Sequence, residues 1–119
     1  MRARDNGRAQ LCDRVRYWSQ RLKVEARFIR VQRMTRKWGS CSTRGIITLA
    51  HDLIAQEPGF QDFVIAHELL HLRVPTHGRL FKALMTAHVP GWRQFDFERR
   101  RVRPRAAARR EWVCNFHAK

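Results

Sequence analysis

The sequence predicts an α+β domain, with a small antiparallel sheet flanked by helices and one nearly all-apolar helix at its centre. Three observations carry this. A helical stripe near the N-terminus gives way to short alternating segments between residues 26 and 50. Two more helical stretches and a last short one follow, parted at Pro75 and at Pro90-Gly91. The chain has 119 residues, room for one domain and little more. Helices gathered around a run of strands, rather than alternating with them, indicate α+β.

The first helix runs from about Arg8 to Lys23, after Asn6-Gly7. Leu11, Val15, Trp18 and Leu22 recur at helical spacing and predict one buried face. From Ala26 to Met34 the period shortens. Ile29 and Val31 alternate with Phe28, Arg30 and Gln32, as in a strand with one buried face. Residues 37–42 and 45–50 read as a hairpin, with Ser42-Thr43-Arg44-Gly45 as its turn and Gly45 free to take positive φ. Phe60 to Leu72 is apolar for too long to be a strand and predicts a helix that Pro75 stops. His77, Leu80, Phe81, Leu84, Met85 and His88 then share one helical face, with Thr76 as N-cap. Trp92 to Arg103 predicts the last helix. Residues 1–103 form a single domain on this reading, and 104–119, with Pro104 and Ala106-Ala107-Ala108, form a basic C-terminal tail.

Composition bounds the function. There are 25 Lys and Arg against 10 Asp and Glu, a formal charge of +15. That charge suggests a polyanion partner but says nothing of chemistry. The excess concentrates at Arg93, Arg99–Arg101, Arg103, Arg105, Arg109 and Arg110, opposed locally by Asp96 and Glu98. A solvated basic end and a nucleic-acid contact both fit this Arg-rich region. No apolar run approaches the roughly 18 residues of a membrane span, and the polar start Met1-Arg-Ala-Arg-Asp-Asn-Gly lacks the core of a secretory signal. Cys12, Cys41 and Cys114 show no paired spacing, so reduced thiols in a cytoplasmic protein are expected.

Residues 67–71 read His67-Glu68-Leu69-Leu70-His71. On a helix, side chains at i and i+4 lie one above the other, so two imidazoles converge on one metal. Glu68 is about 100° around the helix, beside that metal but not aimed at it, which suits a base acting on a metal-activated water. The same letters can arise by chance on an exposed, charged helix. Here Phe63-Val64-Ile65-Ala66 and Leu69-Leu70 make the helix apolar nearly all round. Buried histidines and a glutamate are costly unless paired or metal-bound. A catalytic site needs a third protein ligand. His77 is the candidate, because it starts the next helix on its core face directly after the break. A core histidine bonded to a carbonyl is the bland reading of the same residue. His88 lies eleven residues further along that helix, about 16 Å away, and is out of reach. His51 follows the hairpin, either lining the cleft or as an ordinary loop residue, and His117 lies in the tail.

These residues resemble the YgjP-like group of zincin metallopeptidases, related to the WLM proteins. The resemblance covers residues 27–100. It includes Arg36-Lys37-Trp38-Gly39-Ser40-Cys41-Ser42, Gly45-Ile46-Ile47-Thr48-Leu49, the stretch Phe63 to Leu72, and His77-Gly78-Arg79-Leu80-Phe81. Metzincins share the histidine spacing, but the glycine they place before the third histidine is Val74 here. The resemblance implies a minimal zincin-like fold, one Zn²⁺ held by His67, His71 and His77, and Glu68 as catalytic base. Related SprT-like and WLM proteases act on proteins crosslinked to DNA, which by analogy suggests DNA-associated substrates.

The expected activity is therefore hydrolysis of a peptide or protein substrate. Three neutral imidazoles leave a zinc ion its full charge, enough to bring the pKa of water there down from its bulk value towards about 7. Zincins commonly align substrate along a sheet edge, and residues 37–50 are the candidate edge. Trp38, Gly39 and Ser40 are the substrate-binding candidates: Trp38 as a cleft wall or else a core residue, Gly39 as a point of close backbone approach or else a bulge. Cys41 lacks the histidine and acid that would activate a nucleophile. The alternative function is a basic nucleic-acid-binding module with a non-catalytic zinc site, which would explain the charge through phosphate contacts.

Overall fold

The computed structural model describes residues 3–105 and 110–114. The elements follow in the order α1 (Ala3–Leu22), β1 (Phe28–Gln32), β2 (Gly39–Cys41), β3 (Ile46–Ala50), a 3-10 helix (His51–Ala55), α2 (Pro58–Leu70), α3 (Arg79–His88), α4 (Trp92–Arg101) and β4 (Trp112–Cys114). This is the α+β arrangement that the sequence predicts, with four helices against one small sheet.

The sheet order is β2-β3-β1-β4. β2 and β3 form the expected antiparallel hairpin, with Ser40 opposite Thr48. Gly45 takes φ 86° in its turn, a conformation that glycine adopts without cost. The sheet is mixed rather than wholly antiparallel. β3 enters between β2 and β1 and runs parallel to β1, pairing Ile29 with Ile47 and Val31 with Leu49. The reason is the connection over residues 33–38, which carries the chain past the neighbouring position to the outer edge before the hairpin turns back. β4 then pairs antiparallel with β1 on the other side. It lies within the segment expected to be a tail. Residues 106–109 and 115–119 of that segment, including His117, lie outside the described residues.

Burial explains why these elements assemble. Leu11, Val15, Trp18 and Leu22 of α1 are all buried, as their spacing predicts. Ile29 and Val31 point into the same core while Phe28 on the opposite phase is exposed. α2 is buried almost all round from Phe63 to Leu70, with α1, the sheet, α3 and α4 packed about it. Pro58 opens α2 where its missing N–H costs nothing. Arg14 of α1 clamps Asp62 of α2 by two parallel hydrogen bonds of 2.9 Å, the fork-on-carboxylate geometry that adds direction to charge.

Two expectations are corrected here. Cys12 and Cys114 form a disulfide, with Cα atoms 5.6 Å apart across 102 positions of sequence. Reduced thiols were expected from the odd count and the lack of short spacing. The bridge forms because β4 brings Cys114 against the buried face of α1, a long-range contact that spacing does not encode. Cys41 is the free cysteine among the described residues. On α3, only Phe81 and Met85 of the expected stripe are fully buried, and Leu80 is 60 % exposed. α3 starts at Arg79 with Gly78 as N-cap rather than Thr76, which leaves His77 in the preceding loop and Leu80 in an exposed first turn.

Candidate active site

α2 supplies three of the four central side chains. His67 and Glu68 lie in its buried last turns, at 6 and 7 % exposure. His71 is its C-cap and keeps helical dihedrals (φ −63°, ψ −17°), so it still stands one turn above His67. The chain then tightens, with the Arg73 and Val74 N–H groups both donating to the Leu70 carbonyl, and Pro75 ends the helix. That short reversal brings His77 back over His71.

His67, His71 and His77 each turn a ring nitrogen to one point, and the three atoms lie within 4.8 Å of one another. Nε2 of His71 is 2.9 Å from Nε2 of His77. His71 Nδ1 lies 3.1 Å from the Val74 carbonyl oxygen, which can only accept. Its Nδ1 therefore carries the hydrogen, and Nε2 turns its lone pair to the cluster. This is the outer contact that orients metal-binding imidazoles. Phe81 supports all three rings, with centroids 5.2, 4.8 and 4.9 Å from His67, His71 and His77. Burial, then the neighbouring His67, lowers the pKa of His71. Burial, then His67, His71 and Arg99, lowers that of His77. Both rings are thus held neutral, the form that binds a metal.

Glu68 lies beside this cluster. Its Oε2 is 3.2 Å from His67 Nδ1, and the ring N–H is the donor to a carboxylate. The β-hairpin covers it closely: a Cβ built on Gly39 would stand 2.9 Å from Glu68 Cγ. Cys41 follows on the same phase of β2. Burial first, then the Glu68 carboxylate, pushes its thiol pKa up, so it stays protonated and a poor nucleophile.

A cleft of about 790 Å³ runs along β2 and its turn to the histidines, and Gly39 and Ser40 line it. Trp38 does not. It is 2 % exposed, its indole N–H donates to the Val102 carbonyl at 2.7 Å, and it packs edge-on against Phe60. Of its two readings Trp38 takes the second: it belongs to the core and ties the hairpin to the end of α4, away from the cleft lining. His51 is buried at the start of the 3-10 helix, and His88 lies at the far end of α3; neither joins the cluster.

The spacing of the motif marked His67, Glu68, His71 and His77. It did not mark Phe81, which read as ordinary core, nor Asp96 and Arg99 of α4. Arg99 Nε and Nη2 both donate to Asp96 Oδ1, at 3.0 and 2.7 Å, and Arg99 lines the cleft beside His77. The i,i+3 spacing of that pair was the available sign that the arginine is held.

The fold is that of a metallopeptidase. A similar solved structure is the metallopeptidase zymogen jannalysin of Methanocaldococcus jannaschii, with a TM-score of 0.66 and 19 % identity over 74 % of this chain and 91 % of that one. The chain belongs to the YgjP-like metallopeptidase domain family, which matches residues 2–98. No curated protein matches it. Among the described residues, no helix is long and apolar enough to cross a membrane.

Proposed function

We propose that the protein is a zinc-dependent peptidase in which His67, His71 and His77 hold one Zn²⁺ and Glu68 is the general base. The observation that carries this is the convergence of three ring nitrogens within 4.8 Å beside a buried carboxylate. The donor set suits the ion. Tetrahedral nitrogen ligands at about 2.0–2.1 Å stand about 3.3–3.4 Å apart, between the His71–His77 separation of 2.9 Å and the 4.8 Å that bounds all three atoms. Bound there, zinc supplies a Lewis acid that polarises a scissile carbonyl and makes water a nucleophile near neutral pH.

The remaining work falls to the chain itself. The Glu68 carboxylate accepts the proton of the attacking water and delivers it to the leaving amine. Its contact with His67 and the absence of a side chain at Gly39 hold it in position. β2 is the sheet edge beside the site. The Ala50 N–H donates to the Trp38 carbonyl, and the Ser42 N–H to the Ile46 carbonyl. Alternation along an antiparallel pair therefore turns the N–H and C=O groups of Gly39 and Cys41 outwards. An extended peptide can add to them as a further strand, with its backbone drawn across the histidines. Ser40 lies between these two docking residues.

We infer from the Arg-rich α4 region and the +15 charge that nucleic acid brings the enzyme to DNA-associated protein substrates. A non-catalytic zinc site would be closed by a fourth ligand, and the cluster groups His67, His71 and His77 alone among the described residues. A cytoplasmic location rested in part on reduced thiols, and the Cys12–Cys114 bridge withdraws that support. The test of the activity is cleavage of a denatured protein. A chelator abolishes it and added zinc restores it. Cleavage that survives complete removal of metal contradicts the proposal.

A further inference from the structure

The cleft carries more positive charge than a neutral peptide requires. Lys37 and Arg44 stand on its hairpin side and Arg99 on its α4 side, against Glu25 and Glu68. An adjoining pocket of about 250 Å³, also lined by His67 and His77, adds Lys82, Arg93 and Arg100 with Asp96 as its acid. Arg99 lines both spaces, a property it shares only with His67 and His77 among the residues of the two linings.

Arg99 is also held for a purpose that its own ion pair does not exhaust. Its Nε and Nη2 donate to a single oxygen of Asp96, and the second oxygen takes Arg100 at 3.1 Å. One carboxylate thus serves two guanidinium groups and leaves a net positive charge. Nη1 of Arg99 has no hydrogen-bond partner among the described residues. The side chain is 27 % exposed, so its free donors are partly stripped of water yet open to the cleft. A fixed, planar fork with unused N–H groups matches a carboxylate.

We propose that Arg99 is the carboxylate anchor of the cleft and that the protein selects peptides bearing an acidic side chain close to the scissile bond. The proposal rests on the peptidase reading and adds its substrate class. Asp96 is the positioning residue, because it fixes the guanidinium while sharing its own charge with Arg100. Lys37 and Arg44 extend the same preference along β2. A phosphate backbone would also engage guanidinium groups, but the outward peptide groups of Gly39 and Cys41 across the cleft favour a polypeptide.

The test uses the full chain as its zinc-loaded Glu68→Gln variant, which binds without turnover. Rhodamine-labelled peptides identical except for Glu or Gln at one position, moved along the sequence, are titrated by fluorescence anisotropy. A charge-assisted pair predicts about tenfold tighter binding of the Glu peptide at one or two positions near the cleavage point. Arg99→Gln in the same background removes that preference while the melting temperature holds, and Arg99→Lys restores part of it. Equal affinity for Glu and Gln peptides at every position overturns the proposal, as does a preference that Arg99→Gln leaves intact. A single-stranded oligonucleotide that displaces the peptide and loses affinity equally in Arg99→Gln also overturns it, by assigning the arginine to phosphate. Failure of selectivity with wild-type cleavage of both peptides leaves the peptidase reading standing. If wild type cleaves neither peptide and the variant binds neither, both readings fall.

Discussion

Gly39 has no side chain, and Glu68 takes the space that leaves. An added Cβ would meet Glu68 Cγ at 2.9 Å and the Thr48 carbonyl and Val64 at 3.3 Å, with backbone on one side and a buried helix on the other. Gly39→Ala therefore displaces the carboxylate. We expect kcat to fall, by as much as about a hundredfold for a shift near 1 Å, while zinc content is unchanged; unaltered kcat would show that Glu68 has room to spare. His77→Ala removes a proposed ligand from an exposed loop and should lower zinc affinity sharply. Zinc content that survives dialysis of this variant against a chelator takes His77 out of the site. The lowered pKa values of His71 and His77 set a pH dependence for the metal-free protein. The unfolded chain takes up protons near the ordinary imidazole value of about 6.5, before the folded protein does. Stability is thus greatest above that value and declines as pH falls through the lowered, folded-state values. Melting temperatures of metal-free protein from about pH 7.5 to 5 measure this, and His71→Gln with His77→Gln should flatten the slope. The motif makes His67 and His71 legible as candidates because i and i+4 on a helix is a local geometry. Phe81, Arg99 and Asp96 were not legible as site residues, because their role depends on how α3 and α4 fold back over α2.

At the scale of elements, period and breakers carried most of the information. The stripe of α1, the alternation of β1 and the all-round apolarity of α2 each appear as burial. The sheet's parallel pair was invisible, since a hairpin motif states how β2 meets β3 and not which strand accepts β3 on its far side. α3 starts at Arg79 and not at His77, because Leu80, although it shares the apolar spacing, stands exposed in the first turn. β4 is three residues long and lies beyond a proline in an arginine-rich stretch, so nothing local announced it. It matters for stability, because it carries Cys114 to Cys12. Closing so long a loop is worth typically about 2–4 kcal/mol. Reduction should lower the unfolding free energy by about that amount, measured by denaturant titration with and without reductant. Zinc affinity should be unchanged, because β4 is the sheet edge opposite β2. Equal stability after confirmed reduction would mean that the bridge constrains little.

For the whole molecule, most of the arginine lies apart from the central residues, and Arg99 is where α4 meets the cleft. Of the central residues only Glu68 is formally charged, whereas α4 and its continuation hold much of the arginine. Binding to DNA should fall steeply with salt, with a slope near 0.9 per phosphate contact. Replacing exposed Arg100, Arg101 and Arg105 by Gln tests this more cleanly than deleting residues 104–119, since that deletion also removes β4 and the disulfide. A salt slope that those replacements leave unchanged places the contact elsewhere. The central claim concerns the buried helix. Its most direct test is the Glu68→Gln variant, assayed together for zinc content and for cleavage of a denatured protein. The account predicts about one equivalent of zinc with hydrolysis abolished. Cleavage at the wild-type rate would contradict it.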